Sequence, residues 1–417
     1  MTVPAVRAGR HAGVEGARPW YSTSTTFVVA VGLVGVALAL VRAFPRVSVP
    51  SLWAEDGYVF LVGAREHGLA SFFSPYAGCL HVVPRLLAIA MSPFPLTWQP
   101  GMYAVSATVV SVVMFSVALS GRLAWLLPSP WQRGLLFLAL VVAPARLEAT
   151  GNLANLIFLG SITLVLISLA GDPRTALGRW AESVGAVLLA LSGLQGIVTV
   201  PLFLARLRRE RSRHSLLLVV LVTGASIVQW SILLFGSERT QTLTGSPTIT
   251  GKFASHRLFV AWLIGESKLA AAWQHHAALL DVAFVAVVAA FVLALVVLPD
   301  RVTAAAIALA FVAAMILPSL SYQRMWMPYI AQRHLALPLA ILTIVFIAAL
   351  RRPSLSARIV ASTMLIVALI GVVADFRLKT WPERPVGPTA TCLKEHRAPC
   401  LLPLDPPGWP HKAFLTE

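Results

Sequence analysis

The chain has 417 residues, of which 58% are hydrophobic and only 12% charged, against about 25% charged in an average soluble domain. That balance excludes a soluble globular fold, and recurring apolar runs of bilayer length make the chain an all-α polytopic membrane protein. A net charge of +16 would suit nucleic acid, but no basic helix or aromatic-interleaved basic patch accompanies it, so membrane lipids are the expected partner and nucleic acid is not.

Residues 1–25, with Arg7, Arg10 and Arg18, read as a disordered cytoplasmic leader. The first span runs from about Thr26 to Phe44. It is too long for a cleavable h-region and reads as a signal anchor. It delivers the stretch Trp53-Ala54-Glu55-Asp56-Gly57 to the far side. Two adjacent carboxylates are conspicuous in so apolar a chain, because ionisable groups near a bilayer are costly and often functional. The plainer reading is an acidic loop in which Asp56 caps the next helix.

The first outer loop extends over 45–101 and is not simply polar. Its segment from Leu80 to Pro95 is apolar but broken by Pro84, Pro93 and Pro95, and reads as a helix lying in the interface. If that segment crossed instead, every later orientation would reverse, which the density of basic residues on the short loops opposes. Spans follow at about Met102–Ser120, Gly134–Leu147 and Asn152–Ala170. The turn between the last two carries Arg146, Glu148, Gly151 and Asn152, with Asn155 one helical turn further on.

Residues 181–205 have arginine-rich flanks and a polar centre, Ser192-Gly193-Leu194-Gln195-Gly196. A hairpin of two short helices keeps both basic flanks on one side, with Gln195 satisfying backbone groups at the tip. Further spans are expected at about Leu216–Phe235, Val282–Leu298, Val302–Leu320, Leu335–Leu350 and Ile359–Val373, with a mixed interfacial stretch at 257–280. The bundle thus covers 26–375 with about 9–11 spans. The N-terminus is cytoplasmic, the 376–417 tail is extracytoplasmic, and the location is the plasma membrane. Cys392 and Cys400 lie close together in that tail, where an oxidising compartment would let them pair. His67 and His81 read as surface residues.

With the acidic pair placed after the first span, the chain resembles the GT-C superfamily of integral-membrane glycosyltransferases. Trp53 to Phe60, Pro75-Tyr76-Ala77-Gly78 with Pro84-Arg85, and Glu148 with Gly151-Asn152 and Asn155 are similar to a bacterial branch of GT-C-like proteins, actinobacterial in character. The tail Cys400-Leu401-Leu402-Pro403-Leu404-Asp405-Pro406 with Trp409 is similar too. The resemblance implies a GT-C-like helix bundle with a long first extracytoplasmic loop carrying interfacial helices. It also implies a polyprenyl-phosphate sugar as donor and a cell-envelope glycan or lipid-linked acceptor. Better-studied relatives carry a large soluble C-terminal domain that is missing here, so acceptor selection would fall to the loops.

Inverting transfer from a lipid phosphate needs a carboxylate base, cations for the leaving phosphate and a greasy groove for the lipid. Asp56 or Glu55 is the expected base, Asp56 being favoured by the resemblance and by its place beside Gly57. The other carboxylate then positions the acceptor or holds a divalent cation, Mg or Mn. Arg333 and Arg85 are the preferred phosphate ligands, with Arg324 and His334 beside them. Glu148, Asn152 and Asn155 are candidates for sugar hydroxyls, with helix-end capping as the plainer reading. Two other classes compete: a transporter or flippase of lipid-linked sugars, in which the acids gate or couple ions, and a scaffold of envelope assembly. Transporters place their sites near the midplane and show internal repeats. No repeat is evident here, and the acids gather at one face.

Overall fold

The computed structural model describes residues 25–144, 148–236, 246–275, 277–321, 324–377, 385–406 and 412–416. The expected leader therefore lies almost wholly outside the described residues, as do Arg146 and Trp409. Among the described residues, six helices are long and apolar enough to cross a membrane by length and composition: Thr25–Ser48, Gln99–Leu119, Arg213–Gly236, Arg301–Leu320, Gln332–Ala349 and Leu355–Ala374. The chain is an all-α polytopic membrane protein, with short strands confined to its loops.

The helix α1 (Thr25–Ser48) contains Pro45 and runs past the expected end of the first span. A two-residue strand, β1 (Leu52–Trp53), precedes a wide helical turn at Asp56–Leu61 that continues into α2 (Val62–His67). After α3 (Val82–Met91) come α4 (Gln99–Phe115), α5 (Pro130–Val142) and α6 (Leu156–Leu169). The Ser129-Pro130 pair starts α5 through a reciprocal cap in which the Ser129 and Gln132 side chains each accept a backbone amide of the other. Thirteen residues rise only about 20 Å, so α5 is shorter than the hydrocarbon core and stops before the expected Leu147.

The segment 181–205 is the expected hairpin. Thr175 caps α7 (Ala176–Ala190), and α8 (Gly196–Glu210) returns from the tip at 191–195. Next come α9 (Arg213–Ser231), the short α10 (Pro247–Phe253), α11 (Phe259–Ile264) and α12 (Glu266–His275), then α13 (Ala277–Val296) and α14 (Arg301–Ser321). The last long helices are α15 (Ala336–Ala349), buried along its whole length, and α16 (Leu355–Ala374). Where α16 crosses α11, a side chain on Gly371 would sit 2.8 Å from the Trp262 carbonyl oxygen. That glycine lets the two backbones touch. The tail holds α17 (Gly387–Lys394) and the strands β2 (Cys400–Leu402), β3 (Leu404–Asp405) and β4 (Ala413–Leu415).

Polar contacts sort the connections onto two ends. At one end Glu182 accepts from Arg122, Arg206 and His214, Arg206 also reaches Asp172, Arg208 faces Asp300, and Arg352 donates to the Leu126 carbonyl. The turns after α4, α6, α8, α13 and α15 are thereby collected into one arginine-rich end, as the charge pattern predicts. At the other end Leu80 donates to Gln229 and Val83 to Ser192, joining the first long loop to α9 and to the hairpin tip.

The tail packs on that same loop end. Strand β3 pairs in parallel with β1, and β2 pairs antiparallel with β4. Thr416 donates to Glu66, and Cys392 is disulfide-bonded to Cys400. A Cβ on Gly57 would lie 2.2 Å from Leu404 Cδ2, so glycine is what lets the strand lie flat on the acidic loop. The first loop and the tail, both expected on the outer side, are thus in physical contact.

Candidate functional site

The wide turn at Asp56–Leu61 divides the two carboxylates. Val62 N–H reaches back to Gly57 O, one residue further than an α-helix allows. Glu55 ends up lining a cavity of about 120 Å³ at the loop end. Asp56 turns the other way. It is 2% exposed, and its oxygens accept the backbone amides of Leu153 at 3.0 Å and Ala154 at 2.8 Å. Both amides belong to the turn that leads into α6, so Asp56 ties that turn to the first loop. Each Asp56 oxygen accepts a backbone amide and Asp56 does not line the cavity, so Glu55 is the member of the pair that faces it.

Burial pushes the Asp56 carboxyl up to about 7, against the pull of the two amides, with Glu55 adding a push and Arg46 a pull. Glu55 is also raised above the ordinary carboxylate range. Burial is the main cause, Arg333 opposes it, and Glu148 adds to it.

Exchanging Asp56 for Asn tests this division. An amide offers one acceptor oxygen where the carboxylate offers two, so one of the Leu153 and Ala154 amides is orphaned. The expected cost is about 1–3 kcal/mol of stability, read as a lowered thermal unfolding midpoint in detergent. A variant as stable as the parent would remove Asp56 from this structural role.

Opposite Glu55, the cavity wall carries Arg333 and His334 from the short 3₁₀ turn Gln332–Leu335 that opens α15. Glu148 holds Arg333 twice, through its guanidinium and through its backbone N–H at 3.1 Å. The guanidinium also lies 5.8 Å from the Phe158 ring, whose edge meets His334 at 4.8 Å between centroids. Behind this turn, Arg257 donates to the Met325 and Ile330 carbonyls at 2.6 Å and to Glu266. Glu266 in turn accepts the Tyr329 amide. Tyr329 and Ala331 take left-handed backbone conformations, φ 63° and 49°. Such strain persists only where the surroundings over-determine it.

The third wall comes from the first loop. Ala77 and His81 are again left-handed, φ 48° and 58°, and both line the cavity with Cys79. His81, expected at the surface, is 5% exposed. Its Nδ1 lies 3.0 Å from the Cys79 carbonyl oxygen, which assigns the proton to Nδ1. Burial pushes His81 down to about 4 despite that bond, and Arg85 pushes the same way, so the imidazole is neutral at pH 7. The Cys79 thiol is pushed up to about 12 by burial and is no thiolate.

The remaining expected residues divide. Asn155 lines the cavity, but its amide also donates to the Glu148 carbonyl at 2.9 Å. Asn152 does not line it: its amide donates to the same carbonyl and its oxygen accepts the Asn155 N–H, so it folds the turn. Arg85 lies one layer back, donating to the Leu80 carbonyl and stacking 5.6 Å from Phe60. Arg324 is exposed on the turn before Arg333 and is not part of the cavity wall. Gln195 accepts from Ser161 at 2.7 Å and also faces the cavity.

Two groups escaped the reading of the residues. Arg46, two residues beyond the expected end of the first span, stacks 4.7 Å from Trp53 and acts electrostatically on Asp56, Asp405 and Glu148. Asp405 reaches the site through the pairing of β3 with β1.

Among the described residues no three His, Cys, Asp or Glu side chains group as metal ligands. Of the acidic pair, Asp56 accepts two amides and Glu55 lines the cavity. An apolar groove of about 450 Å³ runs between α5, α11, α15 and α16, with Leu138, Trp262, Ile347 and Leu365 in its wall. Comparison with protein-family models, with curated proteins and with solved structures finds no match to this chain.

Proposed function

We propose that the protein is a GT-C-like membrane glycosyltransferase that moves a monosaccharide from a polyprenyl-phosphate donor to a cell-envelope acceptor on the extracytoplasmic face. One observation carries the reading: a desolvated carboxylate, Glu55, and an anchored guanidinium, Arg333, share a small cavity between the first long loop and the start of α15. Glu55 takes the proton from the acceptor hydroxyl as that oxygen bonds to the anomeric carbon. The bond from that carbon to the phosphate oxygen breaks, and polyprenyl phosphate leaves with inversion. Arg333 meets the charge that builds on the departing phosphate. His334 and neutral His81 supply polar contacts to the sugar, with Phe158 as an apolar wall. The groove beside α15 offers the prenyl chain an apolar bed.

Two features support the assignment of sides. The disulfide Cys392–Cys400 suits an oxidising compartment, and it sits in the tail that packs on the acidic loop. The arginine-rich end suits the cytoplasmic face. A cavity at one end of the bundle, away from the middle of the helices, favours an enzyme over the transporter reading.

The test incubates purified protein in nanodiscs with labelled polyprenyl-phosphate sugars and envelope acceptor fragments. Transfer from at least one donor is expected, and silence across the panel overturns the proposal. The pH profile is a second check. A general base works only when ionised, and Glu55 is raised by burial, so activity should climb with pH through a limb lying above the ordinary carboxylate value of about 4.3. A limb at or below that value would remove Glu55 as the base.

A further inference from the structure

Behind the cavity lies a set of charges that the proposed chemistry does not use. Asp405 is 1% exposed and stands in register with Trp53, two residues before Glu55. Arg46 comes to the same place from the last turn of α1. Its guanidinium stacks on Trp53, its Cδ would be 3.1 Å from a Cβ on Gly151, and its charge acts on Asp56, Asp405 and Glu148.

A guanidinium in so dry a place needs counter-charge. Glu148 is already committed to Arg333. Asp56 accepts the Leu153 and Ala154 amides, and burial raises its carboxyl. Asp405 is the counter-charge that the tail adds: its strand partner Trp53 carries the Arg46 guanidinium on its ring, and its charge reaches Arg46. The tail that carries it is a built part of the site. Leu404 and Leu402 lie against Gly57, Thr389 donates to the Leu401 carbonyl at 2.6 Å, and the disulfide joins α17 to β2.

We infer that Asp405 is a positioning residue: brought in by the C-terminal strands, it fixes Arg46, and through Arg46 it holds Asp56 and the 148–155 turn in place behind the cavity. Its effect on turnover rests on the transferase reading, whereas its effect on the loop does not. A side chain that only filled space would be replaceable by its uncharged isostere. A counter-charge would be replaceable only by another carboxylate.

Full-length protein in detergent is therefore compared as parent, Asp405→Asn and Asp405→Glu. Hydrogen exchange is read at the amides of Leu153 and Ala154, the donors to Asp56. Asp405→Asn should speed their exchange about tenfold, with Asp405→Glu staying within about twofold of the parent. Sugar transfer should follow the same order. Unchanged exchange in Asp405→Asn, or equal acceleration in both variants, overturns the inference.

Should Asp405→Asn fail to fold, the double variant Arg46→Gln/Asp405→Asn removes the stranded cation as well, and folded protein should return. If it does not, the inference falls. A parent that transfers no sugar ends the transferase reading, and the exchange result still decides the role of Asp405.

Discussion

Replacing Glu55 with Gln should lower sugar transfer by about 10²–10⁴-fold, the range a positioned general base supplies, and leave the protein folded. The stability half of this expectation follows from the sign of the shift. Burial raises the Glu55 carboxyl above its unfolded value, so the folded state prefers the protonated group. Stability from this group is then greatest at low pH and falls as pH rises through the raised value. At pH 7 a neutral amide spares the folded state that cost, and the variant should unfold no earlier than the parent. Arg333 loses an attractive neighbour, but Glu148 still grips it through two contacts. Activity falling with the unfolding midpoint intact identifies a group that acts in the reaction. Activity above about one tenth of the parent would be too much for a lost base. A variant that unfolds readily would mean Glu55 is structural. The contrast with Asp56→Asn, expected to fail in stability first, is the sharpest check on how the two carboxylates share their work.

Much of the architecture was legible because it depends on local pattern. Apolar runs located the long helices, and the basic flanks of 181–205 predicted a hairpin whose tip joins the cavity. The proximity of Cys392 and Cys400 led to their pairing. The acidic pair lies in a loop that borders the cavity, but the dipeptide alone does not reveal which member faces it. That depends on the wide turn after Glu55 and on where the amides of Leu153 and Ala154 lie, about a hundred residues away. Arg324 and Arg333 look alike in sequence and fall on opposite outcomes, because a turn with two left-handed residues separates them. His81 was misplaced for a similar reason: its left-handed backbone folds a polar side chain inward where hydropathy would leave it outside. Asp405 sits in a short, largely apolar stretch of the tail, and nothing periodic links it to Trp53. Only the strand pairing does so.

Removing the Glu266 side chain should cost the fold about 3–5 kcal/mol, the price of stranding one member of a buried ion pair. Arg257 and Glu266 are both fully buried, 2.6 Å apart. Glu266→Ala leaves the guanidinium with carbonyl partners alone and takes the acceptor from the Tyr329 amide. Thermal unfolding in detergent measures the loss, and a midpoint within experimental error of the parent would refute it. A pair of this kind can often be exchanged for apolar residues at no cost or even with gain. The same exchange should fail here, because Arg257 also bridges Met325 and Ile330 and thereby closes the turn that aims Arg333. Arg257→Met with Glu266→Leu would restore packing and charge balance yet leave both carbonyls without their donor. It should therefore stay below the parent in stability and lose transfer as well, since Arg333 would no longer be held at the cavity wall. If the apolar pair were as stable and active as the parent, the turn would need no such tie, and the position of Arg333 would have to come from Glu148 alone.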